Sequence, residues 1–586
     1  MGAVERGVGS NAMSVLRRHR LAGGQLVLLL AAGLTILAGC APTPAASTQG
    51  GAPSGQAPRP TKTLQISSVK ENTTGLAVFT STHRDQYTAE YLFHAGLAAL
   101  DALGNLQPRL ATKMPSIADG DWRLNPDGTM DVTWKLRPNV KWHDGTPLTS
   151  DDFVLGIQLA RDPQLTIPHL GGVELIRDVT ALDPMSFVVR WSEPYFDANR
   201  GRLEDFAPVP RHIVGEIYQQ GDKQVFSNSP YWTTQFVGLG PYRLGQWVQG
   251  SFTEGPANDD YFLGRPRIDR VILRYFLDEN VMLAALLSGD IDMLLPGGAD
   301  AKLLAPVRSS WEPRGTILQW AGETNGITLQ WRDPNAPWVA DARVRQALVH
   351  LLDRQTMADT FEPGGVGVAD LFVAPNDPVF RLAEQRGYAK YPYDPSRATQ
   401  LLAAAGWTRG QDGSLQNGSG QRFLIEMRVN AGSGEPQTLV AADAWKQAGM
   451  EVPFSTIAAN DPDRMRKRGE MQGAYGRGTV AGVDNLMVQS TSAEINGPAN
   501  NYRGVNLGGY NNPIVDRMYA QWTTEFDPVK RNEIFADYIK LRADDLIAIP
   551  TFYATVLTTY RRGITGPTPL QPLQISSWNV HEWDVE

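Results

Sequence analysis

Cysteine is nearly missing: Cys40 is the one thiol in 586 residues. That excludes a disulfide framework and any Cys-rich zinc or iron–sulfur site. Metal-ligand spacing is missing as well, since none of the eight histidines falls in H-E-x-x-H or another paired arrangement. No G-x-S-x-G nucleophile elbow and no G-x-x-x-x-G-K-[ST] phosphate loop occurs, which argues against hydrolase-type serine chemistry and P-loop nucleotide hydrolysis. Ser67-Ser68-Val69-Lys70 fits S-x-x-K, but it falls in a predicted first strand rather than at a helix start, and its companion motifs S-D-N and K-T-G are missing. Positive charge is short: 54 Lys and Arg stand against 62 Asp and Glu, a net charge of −8. An acidic body leaves phosphates unneutralised, so no nucleic-acid partner is expected. After Leu37 no stretch reaches the 18 or so apolar residues of a membrane span, and no internal repeat is visible.

What is present is a large apolar and aromatic content. Hydrophobic residues make up 42 % of the chain, with 15 Trp, 18 Tyr and 19 Phe. This suits a big core, a ligand cleft, or both. The length corresponds to about four domain-sized units at roughly 150 residues each. The N-terminus reads as an address. Arg17, Arg18 and Arg20 precede an apolar run, Leu21 to Leu37, which closes on Leu37-Ala38-Gly39-Cys40. Basic, apolar and small residues in that order form a secretory signal, and the closing four resemble the bacterial lipobox, in which the cysteine is lipidated. Residues 1–40 are therefore expected to be a lipoprotein signal with Cys40 as the lipidation site. Residues 41–62, rich in Pro, Ala, Ser, Thr, Gly and Gln, are expected to be a flexible tether.

Strand and helix patterns alternate along the rest. Leu64 to Ile66 and the alternating Asp131 to Arg137 predict strands. Thr149 with Asp152 three residues on predicts a capped helix. Asp278, Asp341, Asp394 and Asp527 each precede a helical apolar stripe, with Pro395 and Pro528 at first helical positions and Gly289 and Gly406 as stops. Phe423 to Val429 and Ile547 to Tyr553 predict further strands. The fold class is α/β. Four carboxylate pairs, Asp151/Asp152, Asp259/Asp260, Asp290/Asp292 and Asp544/Asp545, keep open a secreted glycosidase, whose two acids must face each other across a cleft. Helix caps and solvated faces are the plainer reading.

A series of ordered segments then carries a family resemblance. Thr133-Trp134-Lys135-Leu136-Arg137-Pro138-Asn139-Val140-Lys141-Trp142-His143-Asp144-Gly145-Thr146-Pro147-Leu148-Thr149-Ser150-Asp151-Asp152-Phe153 resembles the signature of the peptide/nickel-type (family 5) extracellular solute-binding proteins of ABC transporters. Gln107-Pro108-Arg109-Leu110-Ala111, Gly240-Pro241-Tyr242, Asn258 to Phe262, Gly289-Asp290-Ile291-Asp292, Arg343 to Leu348 and Tyr393 to Trp407 resemble later landmarks in the same order. The resemblance covers about 64–563. It implies a two-lobed periplasmic-binding-protein fold (type II, cluster C-like) with an extra domain on lobe I. By analogy lobe I takes 63–100, 236–320 and 551–586, the extra domain 101–235, and lobe II 321–550, with crossings near Gly322 and Pro550.

The resemblance further implies no enzymatic activity and no cofactor or metal. It implies a lipid-anchored, monomeric receptor on the outer face of the cytoplasmic membrane. Such a receptor captures a peptide or peptide-like solute between its lobes and delivers it to ABC permease subunits. An oligosaccharide ligand on the same fold is the alternative within the binding class. Three segments line the cleft in such proteins, and they map onto Thr82-His83, Thr328 to Trp331, and Gly473 to Asp484. Thr82, His83, Trp331, Arg477, Thr479 and Asp484 are the candidate ligand contacts. Asp484 would clamp a cationic amino group and Arg477 a carboxylate, while Trp331 would stack on a sugar or side chain. The chain departs from the peptide-binding pattern G-W-x-x-D-Y-x-D-P, reading Gly476-Arg477-Gly478-Thr479-Val480-Ala481-Gly482-Val483-Asp484-Asn485 instead. Trp331 as a core tryptophan and Arg477 and Asp484 as solvated loop residues are the competing structural readings.

Overall fold

The computed structural model describes residues 61–68, 71, 84–165, 172–205, 207–295, 301–432, 434–458, 460–480, 483–570 and 575–586, the side chains of 84–88, 479, 480 and 483–485 excepted. Residues 1–60 lie outside the described residues, and with them Cys40, the expected lipidation site, as do the candidates Thr82 and His83.

The body is built on one ten-stranded mixed sheet. Its central pair is Gly315–Leu329 and Ala548–Arg561, the two longest strands among the described residues, antiparallel to each other. On one side follow Met293–Leu294, Thr63–Ser68, Arg270–Tyr275, Phe252–Pro256 and Trp247–Val248; on the other, Ala474–Val480, Met427–Asn430 and Phe454–Ile457. The central pair is not continuous. Its register slips between the pairs Ala321/Thr555 and Thr324/Tyr553, and again between Thr324 and Gly326. The stretch Gly315 to Ala321 belongs with one half of the sheet and Thr324 to Leu329 with the other. Gly322 sits in the slip, where a Cβ would lie 2.2 Å from Val556 Cγ2.

Each half has its own core. Leu64, Ile66, Val271 and Leu273 alternate inward to pack with Phe93, Tyr242 and Trp583. In the other half Leu329, Val344, Leu348, Leu401, Phe423 and Trp445 close a second core, and Phe535, Tyr538 and Ile539 of the helix Pro528–Asp545 help to close a third. A separate antiparallel sheet, in the order Trp122–Leu124, Met130–Lys135, Ser186–Trp191, Ile176–Asp183, makes the extra domain. Val132, Trp134 and Leu136 point inward together, and Phe153 stacks on Phe187 at 5.1 Å.

Local punctuation explains most element ends. Asp278, Asp341, Asp394 and Asp527 each accept backbone N–H groups at a helix start, the satisfaction that free N-terminal amides require. The Thr149 N–H donates to Asp152 at 2.9 Å. In the helix Glu279–Ser288, Met282, Leu283, Ala285 and Leu286 are buried and Val281 is exposed. The strand expected over Phe423 to Val429 is Met427–Asn430. Phe423 and Ile425 are buried, but they pair irregularly, trading backbone bonds with Leu415 and Glu451. The hairpin there joins Trp407–Arg409 to Leu415–Asn417 around Asp412-Gly413.

Candidate functional site

The strand Ala474–Val480 runs antiparallel to Gly315–Leu329, with Arg477 opposite Gly326 and Thr479 opposite Thr324. It also runs parallel to Met427–Asn430, but only as far as Gly476. Arg477 therefore emerges just past the carboxyl end of a parallel pair, where open α/β sheets place their ligands. Strand alternation aims it. Gly476 abuts the helix Gly434–Gln447, where a Cβ would meet Thr438 Oγ1 at 2.1 Å, so Tyr475 and Arg477 face the opposite side.

On that side lies a small cavity of about 10 Å³, lined by Thr328, Trp331, Arg477, Gln489, Tyr510 and Arg542 among others. Val505 to Gly508 fold over it. The fold is held by Asn506, fully buried, whose amide donates to Thr491 O and Tyr510 O at 2.8 Å each. Gly508 is required there, because a Cβ would stand 2.5 Å from Leu329 O.

Two guanidinium groups enter the cavity wall. Arg477 is half-buried and donates to Gln489 Oε1 at 2.9 Å. Burial first, then the neighbouring guanidinium groups of Arg468 and Arg542, bring its pKa down to about 10. Arg542 is 5 % exposed. It donates to Ser490 Oγ at 2.9 Å and to Tyr538 Oη at 3.2 Å, and its guanidinium lies 4.5 Å over the Phe372 ring. Its Nε is buried and finds no acceptor among the described residues.

The structure places the remaining candidates as follows. Trp331 is half-buried between two cores. Its indole N–H donates to Ile547 O at 3.0 Å, its ring meets Tyr510 edge-on at 4.9 Å, and Arg345 lies 4.8 Å from it. It is thus a packed tryptophan with one edge on the cavity. Thr479 and Asp484 contribute backbone to the strand Ala474–Val480 and the helix Val483–Val488; their side chains lie outside the described residues.

Arg542, Gln489 and Tyr510 were missed in sequence. Arg542 did leave a signal. It continues the inward stripe Phe535, Tyr538, Ile539 at i+7, and a charge on the buried stripe of a helix calls for a reason. Gln489 and Tyr510 left none.

The carboxylate pairs are engaged elsewhere. Asp152 accepts from the backbone of Thr149 and Arg211, and Asp151 meets Arg211. Asp259 and Asp260 meet Arg265 and Arg243. Asp290 accepts from Ser288, Asp292 from Gln65 and Arg561, Asp544 from Ala389 and Lys540, and Asp545 from Tyr510. Among the described residues no cluster of three or more His, Cys, Asp or Glu is placed to hold a metal, and no helix is long and apolar enough to cross a membrane.

A two-lobed α/β body with a cavity at the strand ends is the architecture of a solute-binding protein. The sequence model of the bacterial extracellular solute-binding proteins, family 5, matches residues 107–495. The chain belongs to that family, which is one of binding proteins rather than enzymes. Oligopeptide-binding protein AppA of Bacillus subtilis is 28 % identical over 342 residues, 56 % of this chain and 59 % of AppA. Protein XP55 of Streptomyces lividans is 27 % identical over 455 residues, 77 % of this chain and 76 % of XP55. The chain spans only 51–59 % of the length of several curated relatives it matches.

Solved structures agree on the fold. The oligopeptide binding protein from Thermus thermophilus, complexed with a pentapeptide, has a TM-score of 0.68 at 23 % identity, over 89 % of this chain and 96 % of that one. NikA from Brucella suis, in complex with Fe(III)-EDTA, has a TM-score of 0.71 at 18 % identity, over 89 % and 100 %. One fold thus carries ligands as different as a peptide and a metal chelate.

Proposed function

We propose that the chain is a lipid-anchored receptor that captures a peptide or peptide-like solute between its lobes and delivers it to an ABC transporter permease. The observation that carries this reading is the placement of the Arg477 cavity at the strand ends of a sheet whose two halves meet in a register slip. Preference for a closed form must come from contacts made to both lobes at once. The peptide ligands named for the AppA and Thermus proteins support peptide over oligosaccharide. Trp331, the candidate for stacking on a sugar, spends its N–H and much of its ring on protein neighbours. The lobe boundaries follow the same reading. The slip at Ala321–Thr324 supports a crossing near Gly322, and the second slip, at Thr324–Gly326 opposite Tyr553 to Pro550, supports a return crossing near Pro550.

Native mass spectrometry of the full-length chain, purified without denaturation and then denatured to release its cargo, tests the ligand. A released ladder of peptides is expected; released oligosaccharide would transfer the reading to sugars. Anchoring is tested separately. Wild-type chain should partition into detergent after phase separation and incorporate labelled fatty acid, and Cys40→Ser should do neither.

A further inference from the structure

Among the described residues, the strand Ala548–Arg561 has a partner strand on the edge away from Gly315–Leu329 only at Thr559 and Tyr560, which pair with Met293–Leu294. Earlier in the strand a loop covers that edge instead. The loop follows the helix Arg354–Phe361. Ala369 N–H donates to Thr551 O at 3.1 Å and Tyr553 N–H to Gly367 O at 3.0 Å, on either side of the bridge between Val368 and Phe552. Two residues on, Thr555 N–H faces the same way, but its acceptor is the carboxylate of Glu362, at 3.1 Å. Val366 N–H in turn donates to Thr555 Oγ1 at 3.2 Å. Gly365 passes so close that a Cβ there would stand 2.3 Å from Thr555 Oγ1.

The two ends of this strap have different hosts. Its base belongs to the second core. Phe361 stacks on Phe552 at 6.0 Å, and buried Arg354 donates to Ala369 O at 2.7 Å and to Pro550 O at 3.3 Å. Its tip lies past both register slips. Thr555 pairs with Ala321, and Gln319, whose amide donates to Gly364 O at 3.3 Å, stands deeper in the first half of the sheet. Between base and tip, Ala321, Ala369, Ala374 and Tyr553 form a small core of their own, with Val366 packed against it. Thr555 is buried, so its N–H needs an acceptor. A carboxylate holds a backbone N–H more strongly than a carbonyl does. Half-buried Glu362 can nevertheless let go and be rehydrated, which a ladder carbonyl cannot do unless the strand unzips.

We infer that residues 362–367 form a hinge latch: a strap rooted in lobe II whose Glu362 carboxylate grips the crossing strand on its lobe I side and biases the balance between open and closed forms. Rotation of two lobes is absorbed by a few backbone angles at the crossing. Here those angles lie under the strap, so its tip must slide along Thr555 or release it as the lobes turn. The inference rests on the two-lobe receptor reading for its mechanical sense and adds the group that sets how readily the lobes move.

The test measures an inter-lobe distance in the full-length chain. In a Cys40→Ser background, nitroxide labels are placed at Asp260→Cys and Asp443→Cys, exposed aspartates of lobe I and lobe II, and read by double electron–electron resonance. Glu362→Ala should move the mean distance by about 3 Å or more, or broaden its distribution about twofold. Glu362→Gln keeps an acceptor oxygen and should stay near the wild type, as should Glu533→Ala, an exposed glutamate elsewhere. Thr555→Val keeps the backbone bond but removes Oγ1 from Val366, and should give a smaller change in the same direction. It also decides the matter if Glu362→Ala fails circular dichroism. Amide exchange over residues 550–557 should rise about tenfold in Glu362→Ala. Faster exchange with an unchanged distance distribution would make Glu362 a plain strand cap and overturn the latch. A mixed pool of short peptides, added to the wild type, tests the receptor reading separately. If the pool leaves the wild-type distance where it was while Glu362→Ala shifts it, the latch stands and the receptor reading falls.

Discussion

Three histidines show how single residues tie this fold to pH. His94, His143 and His581 are buried, and burial pulls their pKa values down to about 3, 4 and 4. His143 is the clearest case. Its Nε2–H donates to Gly240 O at 3.0 Å while Nδ1 accepts from Gly238 N–H at 3.1 Å, so the ring is neutral and its tautomer is set. The unfolded chain takes up a proton near 6.5 at each of these sites. Their contribution to stability is therefore complete above that pH and is lost as pH falls toward 4, by up to about 1.4 kcal/mol per pH unit per histidine. Thermal midpoints measured from pH 7 down to pH 4 should fall steeply, and His143→Gln should flatten the slope. Glu90 works in the opposite sense. Its carboxyl is fully buried with both oxygens unpartnered among the described residues, and burial followed by the charge of Glu204 raises its pKa well above the usual range. Its contribution is present below the unfolded carboxylate pKa and is lost as pH rises. Glu90→Gln should accordingly raise the midpoint at pH 7 and change it little at pH 4. His143-Asp144-Gly145 forms a turn, in which Gly145 adopts φ +92. What the histidine ring holds was not legible, because its partners lie 95 and 97 residues away.

Elements were legible where a local rule governs them. Aspartate caps, a proline at the first helical position and a glycine stop act within one turn, and the helices Glu279–Ser288, Ala342–His350, Pro395–Ala404 and Pro528–Asp545 begin where those signals stand. The buried stretch around Phe423 was misread because apolar alternation reports burial, and only a partner strand turns burial into a ladder. The cavity was half legible. Arg477 and Trp331 came from resemblance, whereas Arg542, Gln489 and Tyr510 reach the cavity only through tertiary packing. The central strands carry the most consequential element-scale feature, the slip at Gly322. Gly322→Ala should cost about 1–3 kcal/mol, since the new methyl group collides with Val556 Cγ2. Val556→Ala on top of it should recover part of the loss in denaturant titrations. Equal losses with and without the second change would mean that the strain lies in the backbone, not in that contact.

At the scale of the whole molecule, the extra domain and the second lobe trade aromatic rings. Phe196 leaves the extra domain to join the core around Trp522, edge-on at 4.4 Å, with Arg531 at 4.2 Å over its face. Phe526 returns the exchange, meeting Trp122 at 5.2 Å. Any movement of the second lobe must carry the extra domain along or open this clasp. Phe196→Ala should destabilise the chain by about 3–5 kcal/mol in equilibrium unfolding, and ligand affinity should change with it. Destabilisation with unchanged affinity would make the clasp a passive joint.

The claim on which these scales converge is that the molecule binds and does not transform. Equilibrium dialysis of the full-length chain against a mixed pool of short peptides, followed by mass spectrometry of both compartments, tests it most directly. Retention of about one peptide per chain is expected, with every peptide in the pool recovered intact. Cleaved peptides, or a pool left evenly distributed across the membrane, would contradict it.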